Sequence, residues 1–262
     1  MPPATCLSTS DRVFGPRVDP ACRAFDFTLL FEDIFFACLP TAVFFSLLPF
    51  HITLLAKSPA VCSVTSKLLL GKLATLASVL TAQVILLVLR AQNTAVQTSA
   101  SLTADALAIV GTASVAWLSY IDHQRSLRPS TLLGLFLSVL VILDTARVRT
   151  LWLTGSASGE AAAMAVTLAL TVVALLLEST EKRSSVIVEE KRFGAPEEYS
   201  GFWTRTAFAW LVTTFRVGYS KVIIQDDLPI LDTRLQSNVL YDNLVSTWAQ
   251  RKQPLSQDIV PD

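Results

Sequence analysis

The sequence predicts an all-α membrane protein: five transmembrane helices, then a cytosolic linker that carries an amphipathic interfacial helix. Three observations carry this. The 262 residues are 52% hydrophobic and only 16% charged, against about 45–50% and about 25% in a soluble domain. Mean hydropathy is +0.52. Five segments reach the roughly 20 mostly apolar residues that a bilayer core demands of a helix. After Leu177 the chain turns from apolar to charged, and then to aromatic.

Residues 1–26 are expected to form an extracellular or lumenal tail. They are polar and Pro-rich, with no apolar run of the kind a cleavable signal needs, so the first span is expected to target the chain. Cys6, Cys22, Cys38 and Cys62 form no C-x-x-C pair, which gives no support to a metal site. Cys38 reads as a small hydrophobe within a span. Cys6 and Cys22 share the tail and are either a disulfide or two free thiols.

Residues 27–178 hold the predicted five-span domain, with spans at Phe27–Phe50, Leu68–Leu89, Leu102–Ile121, Thr131–Leu153 and Glu160–Leu177. The fourth is the exception. Its uninterrupted apolar run, Leu132–Leu143, is too short to cross, so a full span must carry Asp144 and Arg147 into or near the membrane. The two are spaced i,i+3 and can neutralise each other. The alternative is a re-entrant segment, which would leave four spans and both chain ends on one side. The Lys and Arg residues of the short flanks favour an N-terminus outside and a C-terminus in the cytosol. Plasma and vacuolar membranes both fit.

Other polar residues in the spans have bland readings. Glu32 and Asp33 are expected to reach water near the outer interface. Asp105 is expected to cap the third span, and Lys72 to snorkel. Pro40 and Pro49 read as packing kinks. His51 and His123 have no acidic or thiol partner at ligand spacing, so no metal is expected.

Residues 179–199 form a charged cytosolic linker ending near Pro196. Residues 200–262 are expected to place helices at the membrane surface. "YSGFWTRTAFAWLVTTFRVGYSK" (199–221) is aromatic enough to enter a membrane. Arg205 and Arg216, however, leave an uncharged run of only about ten residues, too short to span. A single interfacial helix is predicted instead. Trp203, Ala207, Trp210, Leu211 and Thr214 would share one face, and Arg205, Arg216 and Lys221 would meet lipid headgroups. A second amphipathic helix carries Leu231, Leu235, Val239, Leu244 and Trp248, with Asp232 or Thr233 as its cap.

This order of elements resembles the N-terminal region of full-length C-subfamily ABC exporters, the multidrug-resistance-associated-protein type, and most of all the fungal members. The matching residues are Pro196-Glu197, Phe208, Trp210-Leu211, Gly218-Tyr219, Lys221, Asp227-Leu228-Pro229 and Leu231. The resemblance implies an extra five-helix membrane domain followed by a lasso linker. It implies that Trp203, Phe208, Trp210, Leu211, Phe215, Gly218 and Tyr219 dock on the membrane or on a transporter core. Such exporters use ATP and magnesium, but this chain has no G-x-x-x-x-G-K-[ST] phosphate cradle, so no ATP hydrolysis is expected of it. It is expected to be a fragment, a truncated gene model or a separately encoded accessory region. Its expected partners are membrane lipid and an exporter core or another membrane protein. A net charge of zero gives no reason to expect nucleic acid. The rival reading is a free-standing five-span regulatory or scaffold protein docking on a transporter or channel.

Overall fold

The computed structural model describes residues 11–20, 25–57, 66–93, 97–126, 128–155, 158–180, 200–222, 224 and 237–251. Five long helices dominate: α1 Leu29–Ala56, α2 Lys67–Gln92, α3 Ser101–Arg125, α4 Thr131–Thr154 and α5 Ser158–Ser179. Each is long and apolar enough to cross a bilayer. The protein is therefore an integral membrane protein. The Asp144 segment is one continuous helix over 24 residues. Cys6, Cys22, Cys62, Asp232 and Thr233, and the charged linker 181–199, lie outside the described residues.

Side-chain caps set three of the helix starts. The Thr28, Ser66 and Ser130 hydroxyl oxygens accept from the backbone N–H of Phe31, Leu69 and Leu133, satisfying donors that a helix N-terminus leaves open. The chain leaves α4 through Gly155, at φ 64°, the left-handed exit that glycine supplies without steric cost.

Helix α2 packs against α3 and α5, α5 against α4, and α1 against α3 and α4, so the five helices close into a ring. One core cluster lies toward the linker end, around Phe44, Leu76, Leu118, Leu133 and Phe136. Phe44 and Phe136 stack with ring centroids 4.3 Å apart, joining α1 to α4. A smaller cluster around Leu29, Leu86, Leu151 and Met164 lies at the opposite end. Close approach between α1 and α3 is set by Gly111, where an added Cβ would stand 3.1 Å from the Thr41 methyl. Small residues let membrane helices approach in this way.

Helix α1 is not uniform. Glu32–Cys38 forms a π-helical segment, and the Leu39 N–H bonds the Ile34 carbonyl, five residues back. Pro40 follows at once. It has no N–H to donate, so the wide turn sits where the α ladder already lacks a donor.

The predicted single interfacial helix is in fact broken. Helix α6 covers Phe202–Thr206, a 3-10 turn Ala209–Leu211, and α7 Val212–Ser220. The break is Phe208, whose φ of 53° lies in the left-handed region, which costs a residue with a Cβ roughly 1–2 kcal/mol. Trp203 and Trp210 therefore do not share one helical face. Helix α8, Ser237–Arg251, is the second amphipathic helix. It begins six residues after Leu231.

Candidate functional site

At the end of the bundle that holds the start of α1, a buried charge network takes a side chain from all five spans. Asp33 of α1 is its hub. Asp33 Oδ1 lies 3.5 Å from Arg90 Nη1 of α2 and 3.4 Å from Arg147 Nη2 of α4. Its other oxygen accepts from the Thr98 hydroxyl at 2.7 Å. Arg90 also donates to Asp105 of α3 at 2.9 Å, and its Nε faces Glu160 of α5 at 3.9 Å. Arg147 Nη1 lies 3.3 Å from Asp144 Oδ1, one turn away on α4. All of these side chains are buried.

An outer tier continues toward the N-terminal segment. The Thr150 hydroxyl lies 2.8 Å from Asp26 and 2.6 Å from Glu32. Arg149 donates to Asp26 and to the Phe25 carbonyl. Residues 11–20 are bound over the same end. The Val18 N–H donates to the Asp26 carbonyl and the Thr28 hydroxyl to the Gly15 carbonyl. Below the network, a cavity of about 30 Å³ is lined by Thr41, Gln83, Asp105, Thr112, Asp144 and Arg147. Its remaining wall is mostly apolar, including Phe36, Leu86, Phe136 and Met164, and the space suffices for one or two waters held by the polar side.

The opposite end is clamped by a second buried pair. Lys72 Nζ of α2 lies 2.8 Å from Glu178 Oε2 of α5, and the Ser119 hydroxyl of α3 donates to the same carboxylate.

These contacts correct several sequence expectations. Glu32 and Asp33 do not reach water: they are 2% and 5% exposed, because the π-turn holds both inside the ring. Asp105 caps nothing. The cap position of α3 is Ala100, and Asp105 lies a full turn inside, on Arg90. Lys72 does not snorkel; at 1% exposure it is enclosed with Glu178. Arg90, Glu160, Glu178 and Ser119 were missed as site residues. A lone charge at a span end looks interfacial in sequence, and its partner lies on a helix that sequence does not identify as a neighbour. The available signal was that Asp33, Arg90, Asp105, Arg147 and Glu160 fall at alternate span ends, at one end of the bundle.

The linker meets the bundle at the start of α6. The Trp203 indole N–H donates to Ser138 of α4 at 3.0 Å, and Phe202 lies over Gly134, one turn earlier. These small residues, spaced i,i+4, form a shallow seat. The chain enters it through Gly201, where a Cβ would stand 2.6 Å from the Ser179 carbonyl. Beyond Trp203, three aromatic residues face outward. Phe208, Phe215 and Tyr219 are 64%, 67% and 97% exposed. Gly218, Arg205, Arg216 and Lys221 are exposed too, and Trp210 and Leu211 are half-buried.

His51 lies 3.8 Å from Asp122, and Ser130 is 3.4 Å from the same imidazole. Among the described residues no three His, Cys, Asp or Glu side chains converge as a metal site would require.

The model of the ABC transporter TMD0 domain matches residues 14–165. An ABC-type transporter of Gibberella zeae is 33% identical over 245 residues, which cover 94% of this chain and 17% of that protein. ABC multidrug transporter lscH of Purpureocillium lilacinum is 36% identical over 248 residues, 94% of this chain and 16% of the relative. ABC multidrug transporter B of Aspergillus fumigatus is 34% identical over 252 residues, 94% and 17%. The chain thus spans only about 17% of the length of the relatives it matches.

Proposed function

Because the chain belongs to the ABC transporter TMD0 domain family, we propose that it serves as the N-terminal accessory membrane domain and lasso linker of an ABC-type exporter. It anchors, helps traffic and contacts partners. Export of xenobiotics, organic anions or conjugates, driven by ATP with magnesium, is the work of the transporter core. Two of the relatives are named as multidrug transporters, which supports that substrate class. The N-terminus lies outside or in the lumen and the C-terminus in the cytosol, in a plasma or vacuolar membrane.

The observation that carries this reading is the aromatic surface beyond Trp203. Phe208, Phe215 and Tyr219 lie outside the five spans, and the rest of the described chain leaves them uncovered. Exposed apolar surface outside the spans marks a docking site. The bundle itself is cross-linked by buried ion pairs at both ends, which suits a rigid anchor.

The test is co-purification of the chain with a relative's core from which the matching region has been removed. Trp210→Ala with Phe215→Ala should abolish the complex while leaving the Trp203–Ser138 contact in place, since each aromatic can bury about 150–250 Å². A complex unaffected by the double change would overturn docking through this surface. Failure of the unaltered chain to bind the core would favour a free-standing scaffold.

A further inference from the structure

The cavity below the charge network carries more acid than base. Asp105, Asp144 and Arg147 line it, two carboxylates against one guanidinium. Both Nη groups of Arg147 are engaged, one with Asp144 and the other with Asp33. Asp105 is 4% exposed, and only one of its oxygens is served. Oδ1 accepts from Arg90 at 2.9 Å, whereas Oδ2 is buried with no hydrogen-bond partner. The buried Oε1 of Gln83, on the same wall, has none either. The Thr41 hydroxyl donates to the Ala37 carbonyl of its own helix, so it has lone pairs, not a proton, to offer the space. A second cavity of about 20 Å³ shares Gln83, Thr112 and Asp144 and leaves room for a water beside the first.

The chemistry of this wall identifies a ligand. A buried acceptor without a donor is costly, and an uncompensated charge inside a membrane bundle is more so. Water can donate to Asp105 and Gln83 but leaves the charge in place. A cation answers both needs, since it takes several oxygen lone pairs at once, and hard cations select oxygen ligands. Charge decides the class of cation. Among the described residues no third acid, His or Cys joins the two carboxylates, and Arg147 offsets one of them, so a single positive charge balances the wall and a divalent ion overshoots. Carboxylate oxygens make a strong-field site, which favours the smaller of the common monovalent ions, sodium over potassium. The π-helical segment of α1 gives Phe36 and Ala37 to the same wall, and such wide turns recur at functional sites. We infer that this cavity binds one sodium ion. Asp105 Oδ2 and Gln83 Oε1 are its principal ligands, and the Asp144 carboxylate, the Thr112 hydroxyl and water complete the shell. The ion joins α2, α3 and α4 at the end of the bundle where Asp33 joins α1 to α2 and α4. It needs no transporter core, so it stands apart from the docking proposed above.

The test uses the full chain in detergent micelles with radioactive sodium as the probe. Binding should saturate at one ion per chain. Unlabelled NaCl should displace it roughly tenfold better than KCl, and choline chloride should not displace it. With choline chloride holding ionic strength constant, the unfolding temperature should rise by about 3–5 °C at roughly ten times the sodium Kd. Asp105→Asn should abolish saturable binding. Should that variant fail to fold, Gln83→Leu with Thr112→Val, which alters no charge, takes its place and should weaken binding by about tenfold or more. Thr145→Val, exposed on α4, should change it by less than about twofold. No saturable sodium binding would overturn the site. Equal displacement by KCl would overturn the choice of sodium. Stability that follows pH but ignores sodium would mean that a proton neutralises the wall, and would overturn the ion. Binding untouched by Gln83→Leu with Thr112→Val would place the ion elsewhere and overturn this cavity.

Discussion

Asp33 of α1 stands 3.4 Å from Arg147 of α4, although 114 residues separate them. The same carboxylate also faces Arg90 of α2. One aspartate therefore ties the first span to two others in a setting where an unpaired charge is expensive. Removing one partner of a buried pair costs about 3–5 kcal/mol, because the other is left buried and uncompensated.

Asp33→Asn weakens two guanidiniums at once, although Arg147 keeps Asp144 and Arg90 keeps Asp105, so it should destabilise the bundle by about 1–3 kcal/mol, more than Asp144→Asn, which weakens Arg147 alone. A double-mutant cycle between Asp33 and Arg147, read by thermal unfolding in detergent, should give a coupling above about 0.5 kcal/mol. Strict additivity would remove the hub from the account.

At the other end, Lys72→Met strands the Glu178 carboxylate, and Glu178→Leu strands the ammonium. Each single change should cost about 3–5 kcal/mol, while Lys72→Met with Glu178→Leu should recover most of it, since apolar replacement of a whole buried pair is often neutral. If the double variant is as unstable as the sum of the singles, the pair has a role beyond mutual neutralisation.

Gly201→Ala should lift the linker from its seat. The added carbon meets the Ser179 backbone carbonyl at 2.6 Å, and backbone cannot step aside as a side chain does. The expected cost, about 1–3 kcal/mol, falls on linker docking. Trp203 fluorescence should shift toward that of a solvated indole while unfolding of the bundle stays in place. An unchanged spectrum would count against the seat.

Five spans require opposite locations for the two chain ends. With the orientation proposed above, a tag before Cys6 should be cut by protease added on the non-cytosolic side, and a tag after Trp248 should survive. Equal cleavage of both tags would leave an even number of crossings.

The spans were legible because length and hydropathy are local properties: each predicted span overlaps its helix and differs by a few residues at the ends. The i,i+3 spacing brought Asp144 and Arg147 together in the same way. Arg90 with Asp105, Lys72 with Glu178, and Asp33 with both guanidiniums were not legible. Their spacing in sequence carries no information: the first two pairs meet because α2 lies between α3 and α5 in the ring, and Asp33 meets Arg147 because the π-helical start of α1 packs on α4. Phe208 was hidden for another reason. A left-handed phenylalanine has no signature, so the periodicity of 199–221 continued through a break that it could not register.

The contact of Gly201 with Ser179 has one more consequence. The end of α5 and the entry to α6 meet at one carbonyl, so the two ends of the sequence between them are held together. For a flexible loop with its ends so held, doubling the length adds only about 0.6 kcal/mol of closure entropy. Sequence can therefore be inserted or lost there without altering where Trp203 meets Ser138. The join between anchor and linker behaves as a fixed stitch, and the stretch it encloses is free to diverge in length while the two parts keep their register.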